Sequence, residues 1–287
     1  MVVAADSSSA PNGRVPLLAS GLTVLVFLGV IALGFLSGRT KLTGVVVFGF
    51  LAMLAGVSIS HVVDFESELR QVWAYGLSSG AMLGSAGALL APKAIGANPT
   101  SGGFAIAFGY LIGYAGHELG HLLSHRDLPL NAAAGELTLH ALAAGSIMGV
   151  VYGSLPQLSA LFGFGILAHK FPAGFTGSES VKQSGLPTVV MVIPAAAVAI
   201  SAIPLAVLTP PLGPVVKAVV YGISTGVFAH VAIDMLPRCS HGGSHADSTG
   251  HGSIQCSRDL HRTKLSAVAS TFLGAGTILF LWRLLAG

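Results

Sequence analysis

Residues 16–37 read PLLASGLTVLVFLGVIALGFLS and contain no charged side chain. A helix needs roughly 20 consecutive apolar residues to cross the hydrocarbon core of a bilayer. This stretch is therefore read as a transmembrane helix. It is longer than the apolar core of a secretory signal, and Arg14 is the only positive charge before it. It thus reads as a retained span and not a cleaved leader. Eight further runs qualify in the same way: 43–63, 71–92, 103–124, 132–153, 159–178, 186–208, 214–236 and 265–285. Together they predict an all-α, polytopic transmembrane helix bundle of about nine spans. The expected organisation is a polar tail over 1–15 and one transmembrane domain over 16–287. That domain carries a His-rich loop at 237–264.

Composition agrees with this architecture. Of the 287 residues, 53% are hydrophobic and only 9% are charged, against about 25% charged in soluble domains. So few charges cannot cover a globular surface, which excludes a soluble enzyme. A porin-like barrel would show roughly ten-residue alternating segments, and this chain shows unbroken apolar runs instead. The 14 Lys and Arg residues are scattered, so no basic patch for nucleic acid is expected. Cys239 and Cys256 are the only cysteines and share one polar stretch, which is no disulfide framework.

The weakest run, 71–92, is rich in Gly, Ser and Ala. Its Gly76, Gly80, Gly84 and Ala88 recur every four residues. That spacing places small side chains on one helix face, where a neighbouring helix can approach closely. Charge bias sets the orientation. Nine spans put Arg14, Arg70, Arg126, Lys182, Arg238, Arg258, Arg262 and Lys264 on the N-terminal side. Arg39, Lys41, Lys93, Lys217 and Arg283 fall opposite. Eight against five favours a cytoplasmic N-terminus.

Ionisable side chains at the bilayer centre cost at least about 2.5–3.5 kcal/mol and mark functional candidates. Here these are His61, His117, Glu118, His121, Glu136, His140, His169, Lys170, His230 and Asp234. Three helices carry them at i, i+4, on one face: His117, His121 and His125; Glu136 and His140; His230 and Asp234. Imidazole, carboxylate and water are ligands for zinc and neighbouring metals. A lone histidine in an apolar helix is more often a hydrogen-bonded core residue, but three such faces point to a hydrophilic, metal-handling path.

Residues 168–177, AHKFPAGFTG, are the most informative. Pro172 has no N–H, so the carbonyl of Ala168 loses its helical partner and the helix can kink. A freed carbonyl beside the His169 imidazole resembles a cation site. An ordinary Pro kink is the plain alternative. Lys170 next to it needs water or an acidic partner, and Glu118, Glu136 and Asp234 are the available acids.

These residues resemble the ZIP (Zrt/Irt-like) family of divalent metal transporters. LTLHALAAGSIMGVVYG (137–153) is similar to the family's fourth core helix, with His140 and Gly145 in place. GILAHKFPAGFTG (165–177) is similar to the fifth, His-Glu-x-Pro-Glu, with His169 and Pro172 in place. GLSSGAMLGSAGALLAP (76–92) and STGVFAHVAIDMLP (224–237) resemble the second and seventh. The resemblance covers about 71–285. It implies an eight-helix core, to which the run at 16–37 adds the extra N-terminal helix of some prokaryotic members.

The departures are specific. The family's Asp is Ala144 here and its Asn or Ser is Ala141. Lys170 and Ala173 replace the two glutamates of the fifth helix. The family builds a two-metal centre on those acids, so the expectation here is one metal, with Lys170 supplying the charge of the second ion. The resemblance implies movement of a divalent ion into the cytoplasm across the cell (plasma or inner) membrane. Zn²⁺ comes first, and Fe²⁺ and Mn²⁺ suit the same ligands. His140, His169 and Glu136 would hold the ion. His117, Glu118, His121, His230 and Asp234 would line its path, and Pro172 would shape the site. No resident cofactor, no nucleic acid and no enzymatic activity are expected. The partners are the ion, the lipid bilayer and, as in many family members, a second copy in a homodimer. No G-x-x-x-x-G-K-[ST] motif occurs, so transport would not be driven by ATP.

A second reading starts from His117-Glu118-Leu119-Gly120-His121, a literal HExxH. On a helix this motif offers two zinc ligands and a general base. GHELGHLLSH (116–125) resembles the site-2 intramembrane metalloproteases, which take their third ligand from a Leu-Asp-Gly motif. None occurs here, and Asp234 is the nearest candidate. In the loop, Cys239, His241, His245, His251, Cys256 and His261 are too loosely spaced for a structural zinc site. They read equally as a weak metal-buffering segment or as a solvated linker.

Overall fold

A computed structural model describes residues 14–62, 68–124, 132–155, 160–240, 253–255 and 260–286. The chain folds as an all-α bundle: α1 Arg14–Leu36, α2 Thr40–Ile59, α3 Glu68–Ser85, α4 Ala91–Ala97, α5 Pro99–Ser124, α6 Ala132–Ser154, α7 Ala160–Leu167, α8 Lys170–Gln183, α9 Val192–Leu208, α10 Pro214–Asp234 and α11 Leu260–Ala286. A π-helical turn, Ala86–Leu90, joins α3 to α4, and a 3₁₀ turn, Thr188–Met191, leads into α9. Arg238–Ser240 and Ser253–Gln255 pair as two short parallel strands.

Among the described residues, helix forms in each of the nine predicted runs, and six helices are long and apolar enough to cross a membrane. The remaining three differ for physical reasons. α3 is Ser/Gly-rich and interrupted by the π turn. α5 carries Tyr110, Tyr114, His117, Glu118 and His121. The run at 159–178 is split into α7 and α8. The exterior is apolar: Leu18 and Leu25 on α1 and Phe272 and Phe280 on α11 are all exposed. A soluble monomer rarely shows such faces, whereas a bilayer covers them. The protein is therefore a multi-pass membrane protein. Many hydroxyls inside the spans are satisfied by their own helix. Thr138 donates to the Ala134 carbonyl at 2.6 Å, and Thr225 to that of Tyr221 at 2.7 Å.

Lipid supplies no hydrophobic drive between helices, so close backbone packing must hold them together. The helices sort into two packed sets. In one, α3 lies along α11, α5 along α10, and α4 against α5 and α10. Gly76, Gly80 and Gly84 meet Ser270, Thr271 and Ala275 of α11, as the four-residue spacing predicts. Gly109 faces Ile223, and Gly226 faces Ile106 and Tyr110.

In the other set, α6 lies along α9, α2 against α8 and α9, and α1 on α9. Gly145, Gly149 and Gly153 face Val198, Ala202, Ala206 and Thr209. Gly56 and Gly174 bring α2 and α8 together, and Phe27 stacks on Phe50 at 4.2 Å. At the end of α2, Lys182 donates to the Ser60 carbonyl at 2.6 Å and to Glu179 Oε1 at 2.8 Å. α7 touches both α2 and α3, and so lies between the sets.

Candidate metal centre

α7 stops at Leu167 and α8 starts at Lys170, so the helix breaks at Ala168 and His169. Pro172 stands in the first turn of α8 and has no N–H to return to the Ala168 carbonyl. Helix resumes at once, with the Ala173 N–H donating to the His169 carbonyl at 3.0 Å. The kink expected from the sequence is thus a true break. The freed carbonyl does not stand alone: the Ser78 hydroxyl on α3 donates to it at 3.3 Å. In hydrocarbon an unsatisfied backbone group costs several kcal/mol, so the donor stabilises the break.

His169 is buried at 3% exposure and Lys170 at 1%. The His140 ring, on α6, meets the His169 ring edge-on, with centroids 5.6 Å apart and planes at 76°. Two imidazoles sharing one zinc, with Zn–N near 2.1 Å and near-tetrahedral angles, have centroids roughly 5–6 Å apart. The spacing thus suits a shared divalent ion. His140 on α6 thus meets a residue at the break between α7 and α8.

The other predicted residues are distributed differently. Glu136 lies one turn before His140 on α6, but its side chain is outside the described residues. The same holds for the side chains of His117 and His121 on α5, while Glu118 on that helix is exposed. His230 is buried on α10, against Gly113 and beside the rings of Tyr110 at 5.1 Å and Tyr114 at 6.2 Å. It therefore belongs to the α5–α10 contact and not to the His140–His169 pair. Asp234 ends α10, half-buried. His61, at the end of α2, is exposed and bonds Thr188 Oγ1 at 3.1 Å. Among the described residues, no three His, Cys, Asp or Glu side chains gather as a metal site. In the His-rich loop, His241, His245, His251 and Cys256 lie outside the described residues, and so does the side chain of Cys239; His261 begins α11, exposed.

Sequence reasoning missed Ser78 and Ser85. Ser85 is fully buried at the end of α3 and packs against Gly165 of α7. The available signal was the loss of a carbonyl partner at Pro172, which requires a donor from another helix. The run with most serines, 71–92, is where that donor lies.

No protein-family model matches the chain, and no curated protein is similar to it. The fold and the site by themselves define a multi-pass helical membrane protein with a histidine pair at a helix break.

Proposed function

We propose that this protein moves a divalent metal ion, Zn²⁺ foremost, across the cell membrane into the cytoplasm without ATP. One observation carries the reading: His140 and His169 meet at 5.6 Å beside a broken helix in a membrane bundle. An imidazole pair with one ring buried and the other half-buried is costly to place in a membrane unless it serves a polar task. The spacing suits one ion shared by both rings. Glu136, on the same helix as His140, is the carboxylate that would complete the ligand set. His230 and Asp234 would line the route of the ion and not ligate it beside the pair. The ZIP resemblance of 137–153 and 165–177 supports the same reading. The purified protein in sealed proteoliposomes should carry Zn²⁺ down its gradient, read with a trapped fluorescent chelator. Flux no faster than through empty liposomes would overturn the proposal.

The protease alternative draws on one feature, the unbroken helix over 117–121, which sets His117 and His121 on one face. It would need a third ligand, and the sequence offers no Leu-Asp-Gly motif to supply one.

A further inference from the structure

α3 and α7 run antiparallel along a short seam. At one end Ser85 packs against Gly165, where an added methyl would overlap the serine hydroxyl. Gly165 also lies close to the Ala81 carbonyl. At the other end Ser78, two turns before Ser85, bonds the Ala168 carbonyl at 3.3 Å. The glycine lets the backbones approach, and the approach brings Ser78 within reach of the break. The next residue after the bonded carbonyl is His169, buried and facing His140.

We infer that Ser78 is a positioning residue for the His140–His169 pair: its hydroxyl holds the Ala168 carbonyl that Pro172 releases, and so fixes the direction of the His169 ring. Without that donor the carbonyl must find another partner, and the peptide carrying it must rotate to do so. An Ala168 peptide that turns carries His169 with it. The inference rests on the transport reading only for the ion that the pair binds; the geometric role of Ser78 is independent of it.

Two measurements test this. The first is Zn²⁺ affinity of the detergent-purified protein by calorimetry. Loss of a partner one step removed from a ligand costs roughly 10–100-fold in affinity. Ser78→Ala should therefore bind about tenfold or more weakly, and Ser78→Thr, which keeps the hydroxyl, should recover most of that loss. The second needs no metal reading. With Cys239→Ser and Cys256→Ser as background, His140→Cys and His169→Cys are joined by a short bifunctional thiol reagent. Adding Ser78→Ala should slow the cross-link, and adding Ser78→Thr should not. Should the alanine variant fail to fold, Ser78→Val, which has the shape of threonine without its hydroxyl, is read in both assays.

Unchanged affinity and unchanged cross-linking in Ser78→Ala would overturn the inference. So would a threonine variant as impaired as alanine, because the hydroxyl would then not be the cause. If the parent binds no Zn²⁺ but Ser78→Ala slows the cross-link, the transport reading falls and the positioning role stands.

Discussion

Gly80 of α3 packs directly on the Thr271 backbone of α11, where even one methyl group would meet its carbonyl and the Ala275 nitrogen one turn on. Backbone cannot step aside as a flexible side chain can, so this contact tests how the bundle is held. Overpacking a tight site costs about 1–3 kcal/mol. Gly80→Ala should lower the thermal midpoint in detergent by several degrees. Gly44→Ala, on an open face of α2 with nothing near its Cβ position, should be neutral or gain up to about 1 kcal/mol from helix propensity. Equal midpoints for the two variants would show that α3 and α11 are not held by this approach.

The histidine pair gives the second prediction. His140→Ala and His169→Ala should each abolish most Zn²⁺ flux in proteoliposomes while leaving the helical circular-dichroism signal intact. Each would remove a ligand from the proposed site, which is poor in acids. Normal flux in both variants would remove the pair from the pathway.

Glu118→Gln separates transport from proteolysis. The change removes a general base but keeps size and polarity, on an exposed stretch of α5. A transporter should retain partial flux, whereas a metalloprotease should lose nearly all cleavage of a helical substrate. A parent protein with no flux, whose substrate cleavage vanishes in this variant, would decide for the protease.

Lys170 yields the fourth. It is buried at the first position of α8, beside His169. If its ammonium stands in for a second ion, Lys170→Glu should raise bound metal from about one to about two ions per chain, since neighbouring carboxylates repel until a cation binds. Lys170→Met, which removes charge but keeps length, should stay at one and lose stability if it leaves a buried acid unpaired. Metal is counted by elemental analysis after gel filtration. No gain in the glutamate variant would end the stand-in account.

The fold was largely legible because length and apolar character are local properties of a chain in lipid. Residues 16–37 and 186–208 needed no knowledge of their neighbours to be read as helices. The glycine face at 76, 80 and 84 was equally plain, since its spacing is a surface geometry. The pairing of His140 with His169 was legible only as a resemblance, because nothing local states which helices pack together. What His230 packs against was not legible at all. An i, i+4 pattern locates a face on its own helix, but Tyr110 and Tyr114 on α5 determine what His230 meets. Ser78 escaped notice because its role depends on a carbonyl released 90 residues later in the chain.

The π turn at Ala86–Leu90 changes what this span can do. One extra residue in a helical turn sets everything beyond it out of phase by about 100°. The small-residue face that grips α11 at positions 76, 80 and 84 therefore does not continue through Ala88. Leu89 and Leu90 at the end of the turn and Ala94 beyond it are buried instead, and α4 lies on α5 and α10. One span thus serves two sets of neighbours by a shift of phase, with no loop between its two parts. Deleting a single residue there would rotate residues 91–97 off their partners while leaving composition and hydropathy almost unchanged.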